Sequence, residues 1–325
     1  MPHAIRIEQL GGPEAMQWVD VPMPEPGAGQ VRLRNTAIGV NFVDVYNRTG
    51  VYKGTQLPFT PGAEGAGVVD KLGEGVTSLK VGDRVVYQNG SSGSYAQFCL
   101  IPADRAIKIP DGIDDKTAAA SFLKGVTCEY LLLRTFKVGR EHTVLFHAAS
   151  GGVGTLAGQW LKALGATTIG TVGSDEKAAR ARAHGYDHVI NYTRENFVDR
   201  VMEITNGRKC DVVYDSVGKD TFPASLDCLK PLGMWVSFGQ SSGLVPAFQI
   251  NLLQQKGSLF ATRPTTAHHF ARREDLETGA ANLFKVLLDG TVKVEIGATY
   301  PLKDAAEAHR ALEARKTMAA TVLIP

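Results

Sequence analysis

A chain of 325 residues carries 35 Lys or Arg against 33 Asp or Glu, a formal net charge of +2. That length suits two domains, 44 % hydrophobic and 21 % charged residues exclude wholesale disorder, and the near-neutral balance gives no electrostatic reason to expect nucleic acid or an anionic membrane. Cys99, Cys128, Cys210 and Cys228 lie far apart with no CxxC pair, which disfavours a zinc knuckle or a dense disulfide framework, and the N-terminus lacks an apolar run behind a basic start.

In chain order, residues 1 to about 120 read as short strands and turns: VRLRNTAIGV, AGVVDKLG, DRVVYQNG and SYAQFCLIP, punctuated by PEPGAG, PGAEGAG and GEG. Period-two alternation between Gly, Pro and Asp clusters predicts an antiparallel, barrel-like β domain. After about Lys124 the pattern changes. HTVLFHA, TTIGTVG, HVINY, CDVVYDS, MWVSFG and GSLFATR are apolar runs alternating with helix-like segments, among them VGTLAGQWLKALG, DEKAARARAHG, ENFVDRVMEITNG and TFPASLDCLKPLG. Six buried strands separated by amphipathic helices predict a doubly wound parallel sheet of the Rossmann type. From about Pro264 the tail reads as helical, and its last strand, ATVLIP, fits back onto the β domain. The expected organisation is 1–123 with 264–325 as one discontinuous domain and 124–263 as the other. The uncharged stretches 143–161 and 231–255 are interrupted by Gly, Ser, Gln or Pro, so no membrane span is expected. A cytoplasmic protein with reduced thiols is the corresponding expectation.

The sharpest motif is AASGGVG, in which Gly152-Val153-Gly154-Thr155-Leu156-Ala157 fits G-x-G-x-x-A between a strand and a helix. Glycines let the backbone approach a pyrophosphate, and the helix N-terminus offers free N–H groups and partial positive charge. Gly151, Gly152, Val153 and Gly154 are therefore candidate cofactor contacts. The second strand of this unit ends in Gly173 and Ser174, with Lys177 one turn later. A small residue plus a cation suits the 2′-phosphate of NADPH, whereas the carboxylate of Asp175 could hold a free ribose. A plain helix N-cap at Ser174-Asp175, with Asp175 facing solvent, is the bland reading.

AASGGVG with Gln159 and Lys162, NFVDVYNRTGVY at 41–52, PGAEGAGVV, VGDRV and YDSVG occur in an order that resembles the quinone oxidoreductase (zeta-crystallin) group of the medium-chain dehydrogenase/reductase superfamily. The resemblance covers essentially the whole chain. It implies a GroES-like β-barrel domain, a Rossmann domain, NADPH as cofactor and a homodimer joined through the edge of the Rossmann sheet. It also implies a metal-free site, since Asn41 and Ala63 stand where zinc-dependent relatives place a cysteine and a histidine, and only Glu64 remains of the ligand set.

In such a site neutral donors polarise the acceptor. Asn41, Tyr46 and Tyr52, in a loop after an N-terminal strand, are the catalytic candidates, and the alternative for each tyrosine is a half-buried ring with a satisfied hydroxyl. The resemblance further implies cofactor contacts at Phe42, Tyr192, Arg315, Ser216, Val217, Phe238, Gly239, Gln240, Ser241, Thr262, Arg263 and Pro264. Thr127 and Tyr130 are cofactor neighbours or ordinary helix packing. The implied reaction is hydride delivery to a quinone. Reduction of a 2-alkenal or enoyl double bond is the same-fold alternative, and a dinucleotide-binding structural or RNA-binding protein is the alternative of another class.

Overall fold

The computed structural model describes residues 1–52, 56–88, 93–314, 317 and 319–325. The chain divides into two compact units: 1–124, 272–288 and 294–325 in the first, 125–271 and 289–293 in the second.

The first unit opens with a two-stranded antiparallel ribbon, β1 (His3–Ile7) and β2 (Met16–Asp20). Its main sheet is built on the long β3 (Gln30–Gly39), in which Val31, Leu33, Ala37 and Ile38 are fully buried. Helix α1 (Phe42–Thr49) follows directly. The region was expected to be a loop. The difference arises at its ends: the Asp44 carboxylate accepts the Asn41 backbone N–H at 2.9 Å, and Gly50 stops the helix in the left-handed region at φ 76°. Strands β4 (Glu64–Leu72), β5 (Arg84–Gln88), β6 (Phe98–Pro102) and β7 (Ala106–Lys108) complete the antiparallel set, with β3 paired to β4 and β6, and β5 to β4 and β7. Helix α2 (Asp115–Glu129) leads out of this unit.

The second unit is a βα alternation: β8 (Thr143–Phe146), α3 (Gly152–Leu164), β9 (Thr167–Val172), α4 (Asp175–Ala183), β10 (His188–Asn191), α5 (Phe197–Ile204), β11 (Cys210–Asp215), α6 (Ala224–Asp227), β12 (Leu229–Ser237), α7 (Asn251–Gln255), β13 (Phe260–Thr262) and α8 (Thr266–His269). The six strands are parallel in the order β10-β9-β8-β11-β12-β13, the expected dinucleotide-fold arrangement. Leu145, Ile169, Ile190, Val213 and Trp235 lie in one core with Val201 and Leu226 from the helices. TFPASLDCLKPLG was read as one helix, but only residues 224–227 are helical. Cys210 donates its N–H to the Cys228 carbonyl at 2.8 Å and pairs with Leu229, so the sheet captures the segment that Pro231 and Gly233 would break as a helix.

The chain then returns to the first unit with α9 (Arg273–Leu288), β14 (Ile296–Pro301), α10 (Ala305–Glu313) and β15 (Ala320–Ile324). Strand β15 pairs with β3 and β14, and Leu302, Ala305, Ala308 and Leu323 join Ile5, Ile7, Ile38 and Tyr95 in one core. The division between units falls at 271/272, later than the expected 263/264. The physical reason is aromatic: Tyr130 stacks on His269 with ring centroids 4.5 Å apart and meets Phe270 edge-on at 6.1 Å.

Candidate active site

The carboxyl ends of four neighbouring strands of the second unit carry the candidate cofactor loops. The register aligns Phe146 with Tyr214, Tyr214 with Val236, and Val236 with Thr262. Loops beginning at His147, Ser216, Phe238 and Arg263 therefore leave the same edge of the sheet. That edge is where a parallel α/β sheet binds its ligand.

After β8 the chain turns sharply at Ala148, at φ 55°, and Gly151 becomes the N-cap of α3 with no side-chain cap. The first-turn N–H groups of Gly152, Val153 and Gly154 precede the intrahelical ladder and present an anion site. Gly154 is required by close approach: a Cβ there would sit 2.4 Å from the Ala148 carbonyl oxygen and 2.6 Å from that of Ala149. The Tyr186 hydroxyl donates to the Gly154 carbonyl at 2.8 Å and ties the first turn of α3 to the segment that leads into β10. This cradle fits a dinucleotide pyrophosphate.

At the end of β9, Ser174 caps α4 by accepting the Lys177 N–H at 3.2 Å. Tyr192, just past β10, places its hydroxyl oxygen 2.6 Å from where a Gly173 Cβ would be, so only glycine lets this ring lie over the strand end. Asp175 is exposed, as expected of a cap residue, and it is also tethered. Its two carboxylate oxygens accept from the Asn191 amide at 2.8 Å and the Arg194 guanidinium at 2.7 Å. Arg315 lies outside the described residues.

The loops after β11 and β12 are organised by a carboxylate the sequence reading did not single out. Asp215 is fully buried. Its Oδ1 accepts from the N–H groups of Val217 at 2.9 Å and Gly218 at 3.1 Å. Its Oδ2 accepts from Thr221 at 2.7 Å, Ser225 at 2.9 Å and the Trp235 indole at 3.3 Å. Burial pushes this carboxyl up, and His147 together with these donors outweighs it, so it stays below the usual carboxylate range. With Ser225 donating to Asp215, His147 Nε2 is the donor to Ser225 at 3.0 Å, and His147 Nδ1 accepts from Thr171 at 2.8 Å. Ser241 and Ser242 then donate backbone N–H groups to Ser216 and Val217, and a Cβ on Gly239 would meet the Ser216 carbonyl at 2.7 Å. Ser216, Val217, Phe238, Gly239, Gln240 and Ser241 thus form one interlocked pair of loops, and Thr262, Arg263 and Pro264 follow on the neighbouring strand. The available signal was the YDSVG pentad itself, with an acid ending an otherwise apolar strand. Tyr130 is buried against His269 and Phe270 at the start of the π-helical segment Tyr130–Thr135 that continues α2, and Thr127 is 9 % exposed within α2.

In the first unit, α1 groups Phe42, Tyr46 and Tyr52: ring centroids are 6.2 Å apart for Phe42–Tyr46 and 5.2 Å for Tyr46–Tyr52, and Tyr52 donates its N–H to the Tyr46 carbonyl at 3.1 Å. Asn41 is tied behind them, donating from its amide to Glu64 at 2.7 Å. Fully buried Glu64 also accepts from the Leu123 N–H at 2.7 Å and pairs with Lys124 at 2.8 Å. These residues do not fit a zinc ion. Ala63 offers no ligand atom, Asn41 presents an amide N–H, and both Glu64 oxygens already face hydrogen-bond donors, one of them a cation. Deeper in the unit, burial pushes the Asp44 carboxyl up to about 7, opposed by the Asn41 N–H and reinforced by Glu64. Asp44 accepts from the Tyr95 hydroxyl at 3.2 Å, which in turn lies 2.9 Å from His309 Nε2.

Residues 27–111 match the alcohol dehydrogenase GroES-like domain family, and residues 152–284 match the zinc-binding dehydrogenase family. The chain is 48 % identical over 325 residues to a quinone oxidoreductase of Pseudomonas aeruginosa, with 100 % of both chains covered. It is 44 % identical to a Burkholderia 2-haloacrylate reductase over 98 % of each chain. The solved structure of Escherichia coli quinone oxidoreductase complexed with NADPH superposes with a TM-score of 0.98 at 46 % identity, covering 99 % of this chain and 100 % of that one. With the GroES-like and Rossmann units, the glycine cradle and a full-length identity near one half, the chain belongs to the quinone oxidoreductase family of the medium-chain dehydrogenases/reductases.

Proposed function

We infer that the chain is an NADPH-dependent oxidoreductase that delivers a hydride to a quinone without a metal ion. The observation that carries this reading is the loop set at one edge of the parallel sheet. There the Gly151–Gly154 turn exposes a helix N-terminus, and the second strand ends in Gly173 and Ser174 with Lys177 and Tyr192 beside it. The E. coli relative that superposes on the whole chain was crystallised with NADPH, which supports the same cofactor here.

NADPH supplies the hydride when bound. Gly152, Val153 and Gly154 hold the pyrophosphate with backbone N–H groups. Ser174, Lys177 and Tyr192 receive the 2′-phosphate, and Arg315 is proposed as a further contact. The interlocked loops 216–218 and 238–241, with Thr262, Arg263 and Pro264, position the ribose and nicotinamide, with Phe42, Thr127 and Tyr130 as further neighbours. Asn41, Tyr46 and Tyr52 are the proposed donors to the acceptor oxygen. One hydride and one proton convert a quinone to its hydroquinone, and the tyrosine hydroxyls stabilise the oxyanion that forms after hydride arrival. Lys124 and Glu64 act behind Asn41 by holding its amide in place. We further propose a homodimer through β13 and a cytoplasmic location, in keeping with four buried free cysteines.

A second reading is favoured by the 44 % identity to 2-haloacrylate reductase: reduction of an activated carbon–carbon double bond on the same scaffold. Following NADPH oxidation against 1,4-benzoquinone and a 2-alkenal separates them. The quinone is expected to turn over with the higher kcat/KM. Faster alkenal turnover would transfer the assignment to the second reading.

A further inference from the structure

In a dinucleotide fold, a carboxylate at the end of the second strand accepts from the free ribose hydroxyls of NADH and opposes a 2′-phosphate. This chain places such a carboxylate, Asp175, immediately after the Ser174 cap. It occupies the first turn of α4, where the helix dipole favours any anion and a phosphate would compete for the same field. Both carboxylate oxygens are nevertheless engaged from outside the helix. Asn191 at the end of β10 is buried, and its amide cannot turn: its Oδ1 accepts from the Thr193 N–H at 3.2 Å and the Thr193 hydroxyl at 2.7 Å. Its Nδ2 is thereby aimed at Asp175 Oδ1, 2.8 Å away. Arg194, three residues on, closes on Asp175 Oδ2 at 2.7 Å.

We propose that Asn191 and Arg194 form a specificity clamp on Asp175, neutralising its carboxylate and holding it toward the β10 loop so that a 2′-phosphate is tolerated beside it. Arg194 is a positioning residue that acts through Asp175. The inference rests on reading Gly173–Lys177 as the ribose end of the site. The pair is solvent-exposed on both sides, and exposed ion pairs contribute little to stability. Removing Arg194 therefore leaves the fold intact while freeing one negative charge. At a hydrated rim such a charge near a phosphate weakens its binding by roughly three- to tenfold.

The test is calorimetric binding of NADPH and NADH to wild type, Arg194→Ala, the double variant Arg194→Ala/Asp175→Asn, and Lys177→Ala. The clamp predicts that Arg194→Ala weakens NADPH by about fivefold with NADH changed less than about twofold. Asp175→Asn in that background should restore NADPH to within about twofold of wild type. Unchanged NADPH affinity in Arg194→Ala overturns the clamp. So does a loss that persists in the double variant, because Arg194 would then be contacting the phosphate itself. Lys177→Ala separates the two levels: unchanged NADPH affinity there overturns the placement of the ribose end, whereas a loss there with none in Arg194→Ala overturns the clamp alone.

Discussion

Lys177 is one helical turn past the end of β9, with its backbone N–H capped by Ser174 and its side chain near a helix N-terminus. A hydrogen bond to a charged group is worth roughly 1.5–3 kcal/mol, and each 1.4 kcal/mol is about tenfold. Lys177→Ala should therefore weaken NADPH by about one to two orders of magnitude and leave NADH nearly untouched, as titration of both cofactors will show. Asp44 makes a different prediction. Its folded pKa of about 7 lies above the ordinary 3.8, so the unfolded chain releases this proton first as pH rises. The contribution of Asp44 to stability is then greatest below the unfolded value and falls as pH climbs toward the folded one. His309 runs the other way: burial, with Arg48 adding to it, lowers it to about 3, so its contribution grows as pH rises toward its ordinary 6.5. Comparing Asp44→Asn with wild type cancels the histidine. The variant should gain melting temperature relative to wild type between pH 5 and pH 8, and a pH-independent difference would contradict a buried, proton-holding Asp44.

At the scale of elements, what was legible in the sequence was what is local. AASGGVG reads correctly because strand, glycine turn and helix are contiguous, and the six apolar runs keep the expected sheet order. Helix α1 was not legible, because it is only eight residues long, half of them polar, and its ends depend on the Asn41–Asp44 contact and on Gly50. Of the strand 229–237 the MWVSFG half was legible and the first half was hidden for another reason: CLKPLG looks like a helix end until Cys210 recruits it. Site features made by residues distant in sequence, such as Asp175 with Arg194 or Glu64 with Lys124, leave no periodic trace at all. The edge strand β13 carries the assembly prediction. Phe260 is 56 % exposed on it, and Leu232 and Ile250 on neighbouring elements are 66 % and 76 % exposed. An apolar open edge invites a two-fold partner strand. Light scattering at micromolar concentration should give a dimer mass, and Phe260→Lys should shift it toward monomer. A monomeric wild type would remove the interface.

At the scale of the whole molecule, two units of different construction divide the work. A parallel sheet gathers the candidate cofactor loops at one edge, and an antiparallel unit carries the Phe42, Tyr46 and Tyr52 rings, the proposed donors among them, next to a buried Asn41–Glu64–Lys124 cluster. Among the described residues no helix is long and apolar enough to cross a membrane. The central claim is hydride transfer from NADPH to a quinone with protein donors doing what a metal does in zinc-dependent relatives. The most direct measurement is the rate of NADPH oxidation by 1,4-benzoquinone after exhaustive chelation, run beside NADH and beside zinc-supplemented enzyme. The account predicts full activity in chelator, a clear preference for NADPH and no gain from zinc. Loss of activity on chelation, restored by zinc, would contradict it.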